Sequence, residues 1–296
     1  MRDVLIVGAG VAGLTAASYL GRFRRPALVV DGGPSRAQWI PESHNIPAFP
    51  QGLGGEALLS RLKAQAQEYG AELWRGWVES IERDDSGFTV TLDGESIRSR
   101  FVILSTGVED HLPPLPGAAE ALLRGVLRVC PICDGFEAIG KRIAVIGNGE
   151  RGENEAGFLR TYSEAVTYLQ LGGDTDPERE QRLNARGIEL IEIALSELTI
   201  KDDALVLNGR PGEQRPPFDV FYTALGCSPR NELAASLGAV CDANNALRVD
   251  AHQQTTVEGL YAAGDIVRGL NQVVVAAAEA ALAATNIHNR LRATTG

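Results

Sequence analysis

The chain has 296 residues, enough for two domains with separate cores, and its 44% hydrophobic and 22% charged residues are the balance of a globular protein. A formal net charge of −10 speaks against a nucleic-acid partner, which is normally met by a basic face. No run spans a bilayer: the most apolar C-terminal stretch, 273–284, is too short and is interrupted by Glu279.

The first residues, Met1-Arg2-Asp3, lead directly into Val4-Leu5-Ile6-Val7, which reads as a buried strand with no signal segment before it. A cytoplasmic protein is therefore expected. Gly8-Ala9-Gly10-Val11-Ala12-Gly13 follows, and then a helix from Leu14 to Leu20. This places G-x-G-x-x-G between a strand and a helix, the context in which the pattern is informative. Its first glycine permits the tight turn, its second lets backbone approach a pyrophosphate, and its third lets helix and strand pack closely. The helix N-terminus then presents N–H groups and partial positive charge to phosphates. The next strand, Leu28-Val29-Val30, ends in Asp31, 18 residues past Gly13, where a carboxylate can accept hydrogen bonds from a ribose.

Farther on, Phe101-Val102-Ile103-Leu104 runs into Ser105-Thr106-Gly107 and reads as a closing strand of the first unit. The Pro-rich 112–117 reads as a linker. The pattern then repeats. Ile143-Ala144-Val145-Ile146 precedes Gly147-Asn148-Gly149-Glu150-Arg151-Gly152 and a helix from Glu153 to Leu159. Val220-Phe221-Tyr222 looks like the closing strand of this second unit, and Gly259 to Asp265 is a strand entering a Gly-Asp turn before the last helix. The expected fold class is α/β, with two Rossmann-like βαβ dinucleotide-binding domains. Either both bind nucleotide, or one glycine motif (Gly147, Gly149, Gly152) has kept only the fold.

Four cysteines are present, of which Cys130 and Cys133 form C-x-x-C while Cys227 and Cys241 stand alone and read as core thiols. A structural zinc site needs a second pair or nearby histidines, and the four histidines are scattered, so no metal is expected. Two residues between cysteines at a helix start bring the sulfurs together, and the helix N-terminus favours a thiolate. Such a thiolate attacks a disulfide, and the second thiol resolves the mixed disulfide. Asp134, directly after the pair, is well suited to cap the following turn.

Together and in this order, these motifs resemble the low-molecular-weight thioredoxin reductases. The likeness spans nearly the whole chain and rests on Gly8 to Gly13, Asn45-Ile46-Pro47-Ala48-Phe49-Pro50, Ser105-Thr106-Gly107, Cys130-Pro131-Ile132-Cys133-Asp134-Gly135, the second glycine motif, and Ala262-Ala263-Gly264-Asp265 through Leu270-Asn271-Gln272. The resemblance implies a split FAD domain, 1–113 with 243–296, and an inserted central NAD(P)-binding-like domain, 114–242, carrying the cysteines. It implies FAD contacts at Gly8, Gly10, Val11, Ala12, Gly13, Asp31, Asn45, Thr106, Gly107, Gly264, Asp265, Gln272 and Val273. Asp265 is also suited to a helix N-cap. By the same likeness Cys133 faces the flavin, Cys130 meets the substrate, Asp134 transfers the proton, a thioredoxin-like protein or a small dithiol or disulfide is the partner, and the chain is a homodimer.

The sequence also departs from that family. A basic cluster that grips the NADPH 2′-phosphate is expected after the strand 165–169, yet Gln170-Leu171-Gly172-Gly173-Asp174 stands there. Arg179 and Arg182 lie beyond Pro177 on an expected helix, and Glu150 and Glu153 surround the phosphate turn. NADPH is thus an open cofactor assignment beside FAD. Glu137 also replaces an apolar residue of the commoner form of the motif. Besides a thioredoxin-reductase-like enzyme, the sequence leaves open a dithiol oxidase using oxygen, a reductase fed by ferredoxin or another donor, and a non-enzymatic flavin redox sensor.

Overall fold

The computed structural model describes residues 1–172, 176–209, 215–267 and 269–293, and it packs into two compact units. The first comprises Met1–Gln38, Leu53–Glu109 and Ser228–Gly296; the second comprises Trp39–Gly52 and Asp110–Cys227. The chain therefore crosses between units at 109/110 and 227/228, whereas the sequence pointed to 113/114 and 242/243. The second difference has a packing cause. Ala234 and Ala239 are buried in the apolar core of the first unit, and Leu233, Leu237 and Cys241 pack against it, which holds this segment there. The first unit is thus split in sequence around a central unit, and the segment 39–52 groups with the latter.

In the first unit, strands run in the order Glu72–Arg75, Leu28–Asp31, Arg2–Val7, Glu95–Leu104, Gly87–Leu92, Val78–Asp84, and Leu260–Ala262 also pairs with Glu95–Leu104. The strands 72–75, 28–31, 2–7, 95–104 and 260–262 are mutually parallel. Val4, Leu5 and Ile6 are fully buried, as expected for a continuous apolar strand covered on both faces of a parallel sheet. The helix Val11–Arg22 buries Leu14, Ala16, Ala17 and Leu20. The last helix, Val273–Ala293, buries Ala276, Ala280, Ala283, Ala284, Ile287 and Leu291 and packs on Val11–Arg22. Its alanines at spacings of three and four form the narrow apolar stripe that such packing needs.

The second unit is built on a fully parallel sheet in the order Glu189–Ile193, Val166–Leu171, Ile143–Gly147, Val220–Ala224, Leu127–Arg128. Alternating residues divide between two cores, Ala144 and Ile146 on one face and Ile143 and Val145 on the other. The helices Gly149–Leu159 and Pro177–Ala185 follow the first and second of its long strands. Pro177 sits at the first helical position, and the Asp176 carboxylate caps the Glu178 N–H. The strands read as closing ones, 101–104 and 220–222, lie inside their sheets and not at the edges, each beside the strand that leads into a glycine motif. Among the described residues no helix is long and apolar enough to cross a membrane.

Candidate active site

In the first unit, parallel pairing brings the carboxyl ends of four strands to one edge of the sheet. Gly8 follows Arg2–Val7, Asp31 ends its strand, Ser105-Thr106-Gly107 follows Glu95–Leu104, and Gly264-Asp265 lies just past Leu260–Ala262. Ligands of open α/β sheets bind at this edge. Gly8 has φ +109°, and a Cβ there would lie 2.3 Å from the Ser105 carbonyl oxygen. A Cβ at Gly13 would lie 1.9 Å from the Gly8 carbonyl oxygen. Neither position admits a side chain, and the turn is tightened by the Ser105 hydroxyl, 3.0 Å from the carbonyl oxygens of both Val7 and Gly8. Gly10 begins the helix with no side-chain cap and no acid in its first turn, which leaves the Val11, Ala12 and Gly13 end suited to a pyrophosphate.

The other expected cofactor residues have specific neighbours. Asp31 Oδ1 accepts from the Gly33 N–H at 3.1 Å. Asp265 pairs with Arg36 at 2.9 Å, a contact between residues 229 apart in sequence. The last helix starts at Val273, so Asp265 is not its N-cap. Gly264 has φ +85° and donates its N–H to Glu279 Oε2 at 2.8 Å, while burial pushes the Glu279 carboxyl up. Thr106 Oγ1 donates to the Arg230 carbonyl at 2.6 Å, the Gly107 carbonyl accepts from the Arg230 N–H at 3.0 Å, and Gln272 is buried. Asn45 belongs to the second unit, where its Oδ1 accepts from Ser43 at 2.8 Å. Arg36, Arg230 and Glu279, which contact these residues, carry no distinguishing signal in the sequence.

The second glycine motif is equally tight. A Cβ at Gly152 would lie 2.3 Å from the Tyr168 ring, and one at Gly147 would lie 2.9 Å from Ala224 Cβ. Gly149 has φ +58°. In the orientation that satisfies its neighbours, the Asn148 side-chain amide donates to the carbonyls of Gly147 and Leu171 at 2.8 and 2.7 Å. Arg179 and Arg182 do return to this end of the sheet, because the helix Pro177–Ala185 folds back. Arg179 lies 3.4 Å from Gln170 Oε1, and Arg182 makes a two-pronged pair with Glu153 at 2.7 and 2.8 Å. Arg179 adds a 3.6 Å contact to the same carboxylate, and these cations hold Glu153 below the usual carboxylate range. Gly173 and Asp174 lie outside the described residues.

The second unit also carries the cysteine pair. Pro131–Asp134 is a short helix with Cys130 as its N-cap and Pro131 at its first position. Cys130 and Cys133 are joined by a disulfide, with Cα atoms 5.3 Å apart. The half-buried Asp134 carboxyl accepts from the Tyr222 hydroxyl at 2.9 Å, and its backbone carbonyl accepts from the buried Arg128 at 2.6 Å. Burial pushes Asp134 up to about 6, against the lowering pull of Arg128 and of the Tyr222 hydroxyl. Tyr222 is itself driven well above the usual phenol value, first by burial and then by Asp134. An acid of this strength beside a disulfide exchanges a proton readily near neutral pH. Tyr222 and Arg128 come from the strands Val220–Ala224 and Leu127–Arg128, and no local pattern in the sequence marks them.

Cys227 and Cys241 are both half-buried, not core residues; Cys241 lies against the apolar core of the first unit, with Asn231 Nδ2 at 3.3 Å. Among the described residues no group of three or more His, Cys, Asp or Glu side chains is placed to hold a metal ion.

Comparison with known proteins agrees with this arrangement. The family described as pyridine nucleotide-disulphide oxidoreductase matches residues 2–280. A thioredoxin reductase of Treponema pallidum is 32% identical, covering 95% of this chain and 94% of its own. A bifunctional thioredoxin reductase/thioredoxin of Mycobacterium leprae is 30% identical over 96% of this chain, which spans 64% of that longer protein. Among solved structures, HlmI is 29% identical with a TM-score of 0.86, covering 98% of this chain and 92% of its own. Thioredoxin reductase from Streptococcus pyogenes shares the fold at TM-score 0.88 and 22% identity, covering 99% of each chain. The chain belongs to the pyridine nucleotide-disulphide oxidoreductase family and, within it, is an oxidoreductase of the thioredoxin-reductase-like type.

Proposed function

We propose that this chain is an FAD-dependent thiol–disulfide oxidoreductase that passes electrons between FAD and a disulfide or dithiol through Cys130 and Cys133. The observation that carries this reading is the Cys130–Cys133 disulfide with Asp134 beside it, a carboxyl that burial holds near 6. The first unit fits FAD: Gly8 and Gly13 let the turn close tightly against its own backbone, the helix after Gly10 begins without a side-chain cap where a pyrophosphate would lie, and Asp31 ends the neighbouring strand. When bound, the flavin supplies a two-electron exchange with the cysteine pair. Of the two sulfurs, Cys133 is assigned to the flavin and Cys130 to the substrate. One S–S bond opens, and Asp134 gives its proton to the departing thiolate.

The exposed Ile132, Phe136 and Ile139 surround the pair in sequence and suit a protein partner with an apolar contact face, such as a thioredoxin. Cytoplasmic residence and a homodimer accompany this reading.

NADPH as electron donor is the ordinary version. A second reading, with an electron partner other than NADPH, is favoured by the Glu153 carboxylate, which already engages Arg182 and Arg179. A charge-assisted hydrogen bond contributes about 1.5–3 kcal/mol. Two withheld from a 2′-phosphate weaken binding roughly 10²- to 10⁴-fold. Anaerobic titration with NADPH and with NADH, followed by flavin absorbance, separates the readings. Bleaching by low NADPH supports the ordinary version; bleaching by a dithiol alone supports the second. A purified protein that binds no flavin and whose disulfide resists dithiols would refute the function itself.

A further inference from the structure

The segment after the cysteines continues as a helix. Pro131–Asp134 is followed by Gly135 at φ −62° and ψ −30° and then by the helical turn Phe136–Ala138. Asp134 and Glu137 are therefore three residues apart on one helical face, and Cys133 and Glu137 are four apart. Glu137 Oε1 lies 3.1 Å from His44 Nδ1, and His44 Nε2 lies 3.7 Å from Glu42 Oε2. Side-chain exposure rises along this series, from 31% at Glu137 to 39% at His44 and 57% at Glu42. Among the described residues, Glu137 Oε2 is buried without a hydrogen-bond partner. A buried carboxylate oxygen without a partner is costly, which favours a group that moves or exchanges with a neighbour.

We propose that Glu137 and His44 form a proton-delivery pair that recharges Asp134 as the Cys130–Cys133 bond opens. The inference rests on reading that bond as the redox centre. Reduction by a dithiol breaks the Cys130–Cys133 bond and forms one disulfide in the reductant, whose two thiol protons pass to water, while each cysteine takes up one proton. Asp134 supplies the first proton to the departing thiolate. His44 protonates Glu137, Glu137 protonates Asp134, and Asp134 supplies the second. His44 regains its proton from water past Glu42. The groups acting on Asp134 are Arg128, Tyr222, Glu137 and Lys141; those acting on His44 are Glu137 and Glu42. Arg128 and Tyr222 hold the carboxyl in place, so delivery falls to the Glu137 side.

The plainer alternative is an ion pair that only ties residues 39–52 to the cysteine helix. The test reduces the purified protein with excess dithiothreitol from pH 5 to 8, quenches by alkylation and counts free thiols by mass. Glu137→Gln and His44→Gln are expected to slow reduction about tenfold between pH 6 and 8, and to converge on the parent towards pH 5, where water keeps Asp134 protonated. Imidazole is expected to restore His44→Ala and not Glu137→Gln. Parent rates in both Gln variants overturn the inference, as does a slowing that is uniform with pH and insensitive to imidazole. Should Glu137→Gln fail to fold, imidazole rescue of His44→Ala decides alone. A parent disulfide that resists dithiothreitol at every pH removes the redox reading and this inference together; a reactive parent with unaffected variants removes the inference only.

Discussion

Asp134→Asn isolates the cost of keeping a carboxylate beside the disulfide. Burial moves Asp134 from 3.8 to about 6, a difference of about 2. At 1.36 kcal/mol for each pH unit this amounts to about 3 kcal/mol. The sign follows from linkage. Because the folded value is raised, the favourable contribution is complete below about pH 4, where Asp134 is protonated in both states. It is lost as pH rises through about 6, where the folded protein must hold a half-buried anion. Asparagine keeps the acceptor for the Tyr222 hydroxyl and has no such pH dependence. The variant should therefore gain about 3 kcal/mol on the parent between pH 4 and pH 8, a relative rise of roughly 10 °C in the melting point of a unit this size. Thermal unfolding of both oxidised proteins at unit pH steps measures it. An offset that stays constant across that range would mean that Arg128, 3.8 Å away, and Tyr222 fully offset burial, and the argument for a tuned acid would fail.

Further outcomes are expected from the same geometry. Asp134→Asn should lower disulfide turnover about 10²-fold and remove the limb of the pH–rate profile near 6. Tyr222→Phe deletes the hydroxyl that donates to Asp134 at 2.9 Å, and should raise the apparent acid value by about one unit, read from the same profile. Gly13→Ala places a Cβ 1.9 Å from the Gly8 carbonyl oxygen; it should destabilise the first unit by about 1–3 kcal/mol and lower the flavin-to-protein absorbance ratio. Glu153→Gln releases Arg182 and Arg179, and should strengthen binding of 2′,5′-ADP about tenfold by calorimetry; unchanged affinity would place the 2′-phosphate elsewhere.

Much of this molecule is legible from local pattern. Gly8 to Gly13 and Gly147 to Gly152 each announce a strand-turn-helix because the backbone there leaves no room for a side chain, as the contacts with Ser105 and Tyr168 show. Cys130 and Cys133 lie one helical turn apart, so their pairing needs no distant residue. The apolar run 4–7 and the alanine spacing after Val273 likewise define elements through nearest neighbours. Where the chain passes between units was harder to read, because 228–242 has no motif and is held by burial of Ala234 and Ala239, with Leu233 and Leu237 packed alongside, in a core assembled from other segments.

What the sequence determined by itself was the chemistry available: a thiol pair, an acid directly after it and two glycine turns, all features whose meaning lies within a few residues. What only the tertiary structure decided was the electrostatic setting of each group. Arg36 reaches Asp265 across 229 positions, Tyr222 reaches Asp134 across 88, and Arg182 reaches Glu153 across 29. Parallel sheets gather the ends of strands that are far apart in the chain, so the charges that tune an acid or withhold a cation are set by strand order, which no short window of residues contains.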